Sequence, residues 1–312
     1  MENAGQRYED VHFVDATKNV WNYSLFNSEH IRNFQQGVHY RLYELFGSRQ
    51  VEVLNRTGYY FAVWAPNATA VSVIGDFNNW DAHSHPLYVR LDNSGIWEGF
   101  IPGIRKGELY KYHIVGYEGR ILDKGDPYAH FWEKRPATAT ITWDLDYTWN
   151  DTYWMESRRA HNSLNAPWSV YEAHLASWMR PNKQDEESYN SYQMIAERMV
   201  PYVKEMGFTH VELMPVMEHP FDGSWGYQGT GYFAPTSRFG EPQDFMKLVE
   251  AFHREGIGVL LDWAPSHFPY DAHGLFMFDG AHTYEYADMR KGFHPDWNSY
   301  VFNYKRGEVK SF

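Results

Sequence analysis

The first candidates for chemistry in this chain are a carboxylate and an imidazole that follow one apolar run. Asp262 comes directly after Val259–Leu261, and His267 follows Pro265. The run predicts a strand that is buried on both faces, as in a parallel sheet, and Pro265 ends it because proline has no N–H to donate. Asp262 and His267 then lie at the carboxyl end of a parallel strand, where α/β barrels keep their active sites. The alternative is a buried aspartate that caps a turn, next to a hydrogen-bonded histidine.

The elements that position these residues repeat a strand–helix pattern. Ser169–Leu175 and Phe208–Met214 predict two further strands, and Pro215 stops the second. The helix between them places its apolar residues on one face and ends at Gly207: Ile195, Met199, Val203 and Met206. The next helix begins at Pro242 and ends before Gly256, with an apolar face of Phe245, Leu248, Val249 and Phe252. This alternation predicts a parallel sheet with right-handed crossovers.

The part of the chain before these elements predicts a β-sandwich preceded by short helices. Ser28 is expected to cap a helix that Gly37 closes. Short strands with turn signals follow between about residues 58 and 143: Tyr60–Trp64, Val71–Ile74, Trp97–Ile101 and Leu109–Ile114. In the last of these, Tyr110, Tyr112 and Ile114 share one face. Residues 144–167 predict a polar, irregular connector that packs through its aromatic residues.

Charge and composition exclude several classes of protein. The chain has 28 Lys plus Arg and 40 Asp plus Glu, a net charge of −12, which disfavours nucleic acid and anionic membrane as partners. It has no cysteine, so disulfides and thiolate metal sites are excluded. It has no apolar run near the roughly 20 residues of a membrane span, and Met1–Asp10 is polar and acidic, unlike a signal peptide. We therefore expect a cytoplasmic protein.

Aromatic residues are unusually frequent, with 13 Trp, 24 Tyr and 20 Phe. Flat apolar rings with polar edges suit the faces of sugars. Aromatic residues more often form cores and interfaces. Composition alone therefore leaves two interpretations open, a carbohydrate-binding site and ordinary core or interface packing.

Several motifs carry a resemblance to a known family. Phe61–Ala68 and Gly75–Asp81 resemble a glucan-binding-type sandwich, Tyr171–Trp178 resembles a first barrel strand, and Asp262–Pro269 resembles the first conserved region of the α-amylase superfamily. Glu218–Gln228 is the most specific segment. From about residue 38 to its end the chain resembles the bacterial-type glycogen (1,4-α-glucan) branching enzymes of that superfamily.

The resemblance implies an immunoglobulin-like β-sandwich followed by the first part of a (β/α)8 TIM barrel. The expected division is an arm with short helices at 1–50, the sandwich at 51–145, a connector at 146–167 and an incomplete catalytic barrel at 168–312. Residues 168–312 fall well short of the roughly 250 residues of a complete barrel. The sequence therefore predicts a truncated barrel.

The resemblance also assigns roles to individual residues. Tyr227 would stack on the sugar in the −1 subsite, His267 would hydrogen-bond the same sugar, and Asp262 would orient the arginine that precedes the nucleophile. Their loops follow neighbouring strands, so we expect all three to converge on one cleft. Trp80 and Lys111 match sandwich positions that touch glucan in some relatives, but Trp80 could equally pack under its own turn.

The catalytic carboxylates of the family are not found in this sequence. A retaining mechanism needs two carboxylates roughly 5–5.5 Å apart, and in this superfamily they follow later barrel strands. Asp271 and Asp279 lie in a loop with no recognisable motif. We expect the nucleophile and the acid/base beyond Phe312, and we expect this chain alone to be inactive.

The reaction implied for the family cleaves an α-1,4-glucan chain and transfers it to a 6-hydroxyl, with retention, forming an α-1,6 branch. The resemblance implies no cofactor and no metal, and α-glucans such as glycogen, amylose and maltooligosaccharides as partners of a monomer. Two alternatives stay open, a non-catalytic glucan-binding fragment and another superfamily glycoside hydrolase of debranching type. The Trp225–Gln228 segment argues against the second.

Overall fold

A computed structural model describes residues 15–185 and 188–312, so the polar segment Met1–Asp10 lies outside the described residues. The helices are α1 (Ser28–Gln36), α2 (Thr152–His161), α3 (Tyr192–Glu205), α4 (Pro242–Arg254), α5 (Met289–Gly292) and α6 (Gly307–Ser311). The strands are β1 (Gly47–Val53), β2 (Arg56–Trp64), β3 (Ala70–Gly75), β4 (Tyr88–Val89), β5 (Ile96–Pro102), β6 (Leu109–Val115), β7 (Ile121–Lys124), β8 (Phe131–Trp132), β9 (Thr140–Ile141), β10 (Val170–Ala173), β11 (His210–Leu213), β12 (Met217–Glu218), β13 (Gly231–Pro235), β14 (Gly258–Leu261), β15 (His267–Phe268), β16 (Phe293–His294) and β17 (Ser299–Val301).

The chain divides into two compact units. Among the described residues, unit 1 consists of 15–129 together with Thr138–Asp144 and Ser266–Phe312, and unit 2 consists of His130–Ala137 and Leu145–Pro265. Among the described residues, no helix combines the length and the apolar character needed to cross a membrane.

Unit 1 contains the predicted β-sandwich. One sheet has the order β1-β2-β5-β4, and in the other β6 pairs with β3, β7 and β9. The sheets face each other through aromatic side chains: the rings of Phe61 and Tyr110 lie 5.1 Å apart, and the Tyr112 hydroxyl donates to the Ala62 carbonyl at 3.3 Å. Tyr110, Tyr112 and Ile114 are all buried, which confirms the face predicted for β6.

The described part of the N-terminal arm, from residue 15 onward, packs against this sandwich. The Trp21 N–H donates to the Phe100 carbonyl on β5 at 2.8 Å, and β1 already begins at Gly47. The prediction that Ser28 caps α1 is wrong. The cap is Asn27, because its side chain accepts from the backbone N–H of His30. Gly37 closes the helix at φ 74°, as predicted.

Residues 266–312 pack within unit 1. The Asn67 N–H donates to the Asp279 carboxylate at 2.8 Å, and the Lys124 ammonium donates to the Phe276 carbonyl at 2.7 Å. Val309 lies on the short helix α6. The side chain is buried, because α6 packs against α1.

Unit 2 contains the predicted strand–helix–strand–helix–strand pattern. β10, β11 and β14 form a parallel sheet in that order, and α3 packs against α4. Met206 is exposed, so its predicted place on the buried face of α3 is wrong; it follows the last residue of the helix as its C-cap. Within the described ranges β14 pairs only with β11, and Leu261 is 51% exposed, so β14 is not buried on both faces.

The connector is more ordered than the sequence predicted. It contains α2, so the prediction of an irregular segment is wrong, whereas the predicted aromatic packing is confirmed. Trp154 is buried and stacks on His253 of α4, with 5.1 Å between ring centroids.

Candidate functional site

The carboxyl ends of three strands define one edge of the sheet in unit 2. Ala173, Leu213 and Leu261 are in register across β10, β11 and β14. The residue after β14 is Asp262, whose N–H donates to the Leu213 carbonyl at 2.9 Å. The sheet therefore fixes the backbone of Asp262 at this edge, as the sequence predicted.

Tyr227 reaches the same edge from the loop between β12 and β13. Its hydroxyl donates to Asp262 Oδ2 at 2.5 Å. The pKa of Tyr227 is raised to about 12, mainly by this hydrogen bond. Burial and the nearby charges of Asp262, Glu172 and Glu212 raise it further. Tyr227 is therefore protonated at neutral pH, and its hydroxyl keeps the ring next to Asp262 through this hydrogen bond.

The backbone next to Tyr227 is constrained by close packing. Gly226 has φ 89°, and a Cβ at this position would lie 2.2 Å from the Pro215 carbonyl oxygen. Only glycine fits this approach without a shift of the backbone. Gly226 therefore fixes the path of the loop immediately before Tyr227.

A buried ion-pair network supports the base of the loop. Arg238 Nη1 lies 2.9 Å from Glu218 Oε1, and Arg238 Nε lies 2.7 Å from Asp222 Oδ1. The Ser237 N–H donates to the other Glu218 oxygen at 2.7 Å. Burial raises the pKa of Glu218 against the opposing effect of Arg238. One guanidinium thus links the end of β12 to the loop that carries Tyr227.

His267 lies in unit 1, where β15 pairs with β17. Its side chain is buried, and its ring centroid lies 5.1 Å from that of Trp297, which stacks on His294 at 4.0 Å. Burial, followed by the nearby charge of His294, lowers the pKa of His267. The structure joins Tyr227 to Asp262 within unit 2, and convergence of His267 with this pair stays a prediction.

The two sandwich candidates lie near the paired ends of β3 and β6. The Trp80 N–H donates to the carbonyl of Gly75, the last residue of β3, and Lys111 pairs with Ile74. The Trp80 side chain is 38% exposed, and its indole donates to Asp76 at 2.8 Å. The Lys111 ammonium donates to Thr138 at 2.6 Å. A role of either residue in glucan binding stays a prediction.

Sequence reasoning missed Arg238 as a structural support of the site. Glu218 and Asp222 fall in the motif that carries the resemblance, but nothing near Arg238 in the sequence marks it as their partner. Asp279 is fully buried and is held by Asn67 and Thr283, so its carboxylate serves the packing of unit 1.

Two family models match the chain. "Carbohydrate-binding module 48 (Isoamylase N-terminal domain)" matches residues 45–129, and "Alpha amylase, catalytic domain" matches residues 180–299. The first match covers the sandwich strands β1 to β7 and ends before β8 and β9. The second begins after β10 and ends near β17.

Curated relatives are similar over almost the whole chain. The "1,4-alpha-glucan branching enzyme GlgB" of Aquifex aeolicus is 54% identical over 292 residues, which cover 93% of this chain and 46% of the relative. The protein of the same name from Trichormus variabilis is 46% identical and matches 100% of this chain and 46% of its own length. The chain thus spans less than half the length of these relatives.

Solved structures share the fold at much lower identity. A pullulanase from Bacillus acidopullulyticus superposes with a TM-score of 0.62 at 20% identity, over 85% of this chain and 35% of the pullulanase. At this identity the likeness shows the fold alone.

Proposed function

We propose that this chain binds α-glucan for a branching reaction. It is similar to the 1,4-alpha-glucan branching enzymes, and it matches a carbohydrate-binding module 48 and an alpha-amylase catalytic domain. That reaction cleaves an α-1,4 bond with retention and transfers the freed chain to a 6-hydroxyl. We also propose that the protein is a cytoplasmic monomer.

The hydrogen bond between Tyr227 and Asp262 carries the proposal. An aromatic ring held at its hydroxyl presents a fixed apolar surface to a sugar face. Asp262 Oδ1 accepts no hydrogen bond from residues 15–185 or 188–312, so this oxygen is available to the arginine that the family resemblance implies. Tyr227 would then position the glucosyl unit, and Asp262 would position the group that acts next to it. His267 would donate to or accept from the hydroxyls of the same unit.

The proposed reaction needs more than these residues. Retention requires a carboxylate nucleophile and a carboxylic acid roughly 5–5.5 Å apart on either side of the scissile bond. Neither role falls to Asp262, whose carboxylate is engaged by Tyr227. We therefore propose that the 312-residue chain binds glucan without branching it.

The test combines binding and product analysis on one preparation. The purified chain is titrated with maltoheptaose and then incubated with linear amylose, and α-1,6 linkages are counted by NMR spectroscopy. We expect saturable binding that Tyr227→Ala weakens, and no new α-1,6 linkages. A chain that fails to bind maltoheptaose would contradict the glucan-binding function. New α-1,6 linkages, absent from a matched Asp262→Asn preparation, would show that the chain carries its own catalytic carboxylates.

A further inference from the structure

Lys124 is a buried lysine at the end of β7, and the roles proposed above do not use it. The residue is 1% exposed, and its Nζ donates to the Phe276 carbonyl at 2.7 Å. Burial lowers the pKa of Lys124 to about 8, so the ammonium is still charged at neutral pH. A buried charge is costly unless it has partners. Phe276 belongs to the segment 266–312, so the sandwich places a charged donor against that segment.

Two buried carboxylates of the same segment lie within electrostatic reach of Lys124. Glu285 and Asp279 are both fully buried, and their charges raise the pKa of Lys124 against the effect of burial. Glu285 Oε1 accepts from the Met277 N–H at 3.0 Å and lies 3.2 Å from His282 Nδ1. The ammonium is thus attracted by the same loop whose carbonyl it bonds, and it attaches this loop to β7.

The Phe276 ring connects this loop to β17. Its centroid lies 4.4 Å from that of Tyr300, with 29° between the ring planes. Tyr300 is on β17 and pairs with Phe268, the residue after His267 on β15. Phe268 is fully buried, and its ring centroid lies 6.4 Å from that of Tyr300. Contacts therefore run from Lys124 to the residue next to His267.

The strand that carries His267 depends on its neighbours for its position. β15 has only two residues, and among the described residues it pairs only with β17. The His267 ring lies 5.1 Å from the ring of Trp297, measured between centroids, and Trp297 is in the turn between β16 and β17. The backbone partner and the ring neighbour of His267 thus belong to one hairpin, so the contacts that fix this hairpin also fix His267.

We propose that Lys124 is a positioning residue for His267: its hydrogen bond to the Phe276 carbonyl holds the Phe276 ring against Tyr300, and β17 then holds β15 in place. The inference rests on the proposed role of His267 in glucan binding. It gives the sandwich a task besides any glucan contact of its own, because Lys124 is buried and acts on the affinity for glucan without touching it.

Histidine titration by NMR spectroscopy tests the link without a ligand. Burial is the main cause that lowers the pKa of His267, so a loosened β15 should expose the ring and move this pKa up toward the ordinary value of about 6.5. We expect the upward shift in Lys124→Met and in Phe276→Leu. We expect no shift in Lys124→Arg, which keeps the charge and the donor. The variant His267→Gln assigns the resonance among the 16 histidines.

Calorimetric titration of the same 312-residue chain with maltoheptaose tests the consequence for binding. Lys124→Met should weaken the affinity about fivefold, the loss expected for one hydrogen bond, and Lys124→Arg should restore it. In a His267→Ala background Lys124→Met should cause no further loss, because a residue that acts through His267 is not additive with it. Lys106→Met removes a partly exposed ion pair of the same unit and should change neither the affinity nor the His267 titration.

The outcomes separate the inference from the function on which it rests. An unchanged His267 titration in Lys124→Met would overturn the inference, as would an equal shift in Lys106→Met or a full further loss of affinity in the His267→Ala background. If Lys124→Met does not fold, Phe276→Leu decides in its place, and an unshifted titration in that variant overturns the inference. If the unsubstituted chain does not bind maltoheptaose while the titration shifts as expected, the proposed function fails and the positioning of His267 by Lys124 stands.

Discussion

Arg238 and Glu218 form a buried ion pair, with 2.9 Å between Nη1 and Oε1, at the base of the loop that carries Tyr227. The same guanidinium reaches Asp222 within that loop at 2.7 Å. Because both contacts use one side chain, the conformation of the loop depends on Arg238.

Replacing Arg238 should therefore destabilise unit 2. Arg238→Met leaves the buried Glu218 carboxylate without its cation, and breaking a buried pair in this way costs about 3–5 kcal/mol. Urea unfolding measures the loss. Arg41→Met is the matched control, because its pair with Glu44 is exposed to solvent and should contribute little to stability. Equal effects of the two substitutions would show that the buried pair does not hold the loop.

Removing the Tyr227 hydroxyl should leave the aromatic ring without the hydrogen bond that fixes its position. Tyr227→Phe keeps the ring but loses the hydrogen bond to Asp262, so we expect weaker maltoheptaose binding than in the unsubstituted chain and stronger binding than in Tyr227→Ala. Calorimetry gives the three affinities. If Tyr227→Phe binds as tightly as the unsubstituted chain, the Asp262 contact does not position the ring.

His219 should make stability depend on pH. Its pKa is about 4 in the folded protein, below the ordinary value of 6.5. Between these values the unfolded chain binds the proton and the folded chain does not, so the free energy of unfolding falls as the pH falls across this window, by about 3 kcal/mol at most. This contribution is complete above about pH 6.5 and is lost as the pH approaches about 4.

Urea unfolding at about pH 7 and about pH 4.5 checks this contribution. His219→Gln should flatten the dependence, whereas His83→Gln, at an exposed histidine, should leave it unchanged. An identical slope in all three proteins would mean that His219 titrates alike in the folded and unfolded states.

Trp80 tests glucan binding by the sandwich. Its side chain is partly exposed, so Trp80→Ala should weaken binding of maltooligosaccharides to this unit by roughly 1 kcal/mol if the ring is a platform. Tyr40→Ala, which removes a more exposed ring from the same unit, serves as the control. Both variants are made in a Tyr227→Ala background to suppress the other site. If Trp80→Ala binds maltooligosaccharides unchanged, Trp80 does not bind glucan, and its indole has only the structural role given by the hydrogen bond to Asp76.

The edge of the parallel sheet at β14, which pairs only with β11 among the described residues, should promote non-specific aggregation of the monomer at high concentration. Leu261 is half exposed on β14, and unpaired edge strands with apolar side chains favour edge-to-edge contacts. Leu261→Lys should reduce the aggregated fraction in light scattering with little change in the unfolding midpoint. Leu91→Lys, at an exposed position of unit 1, should not. Equal aggregation of all three proteins would exclude this edge as the cause.

Local patterns were enough to predict β6 and the helices α3 and α4, although not the helix α2 in the connector. Period-two burial in β6 and the apolar faces of α3 and α4 follow from side-chain spacing, which depends only on local backbone geometry. The motif around Tyr227 and the carboxylate after β14 also identified the two residues that the structure joins by a hydrogen bond.

Only the tertiary structure decided which distant segments support these elements. Residues 266–312 pack with the sandwich through Asn67 and Lys124, and Arg238 compensates two carboxylates from earlier in the chain. The exposure of Leu261 likewise depends on which strand lies next to β14. Local spacing contains no information about such partners, because burial and charge compensation depend on contacts between residues that are far apart in the sequence.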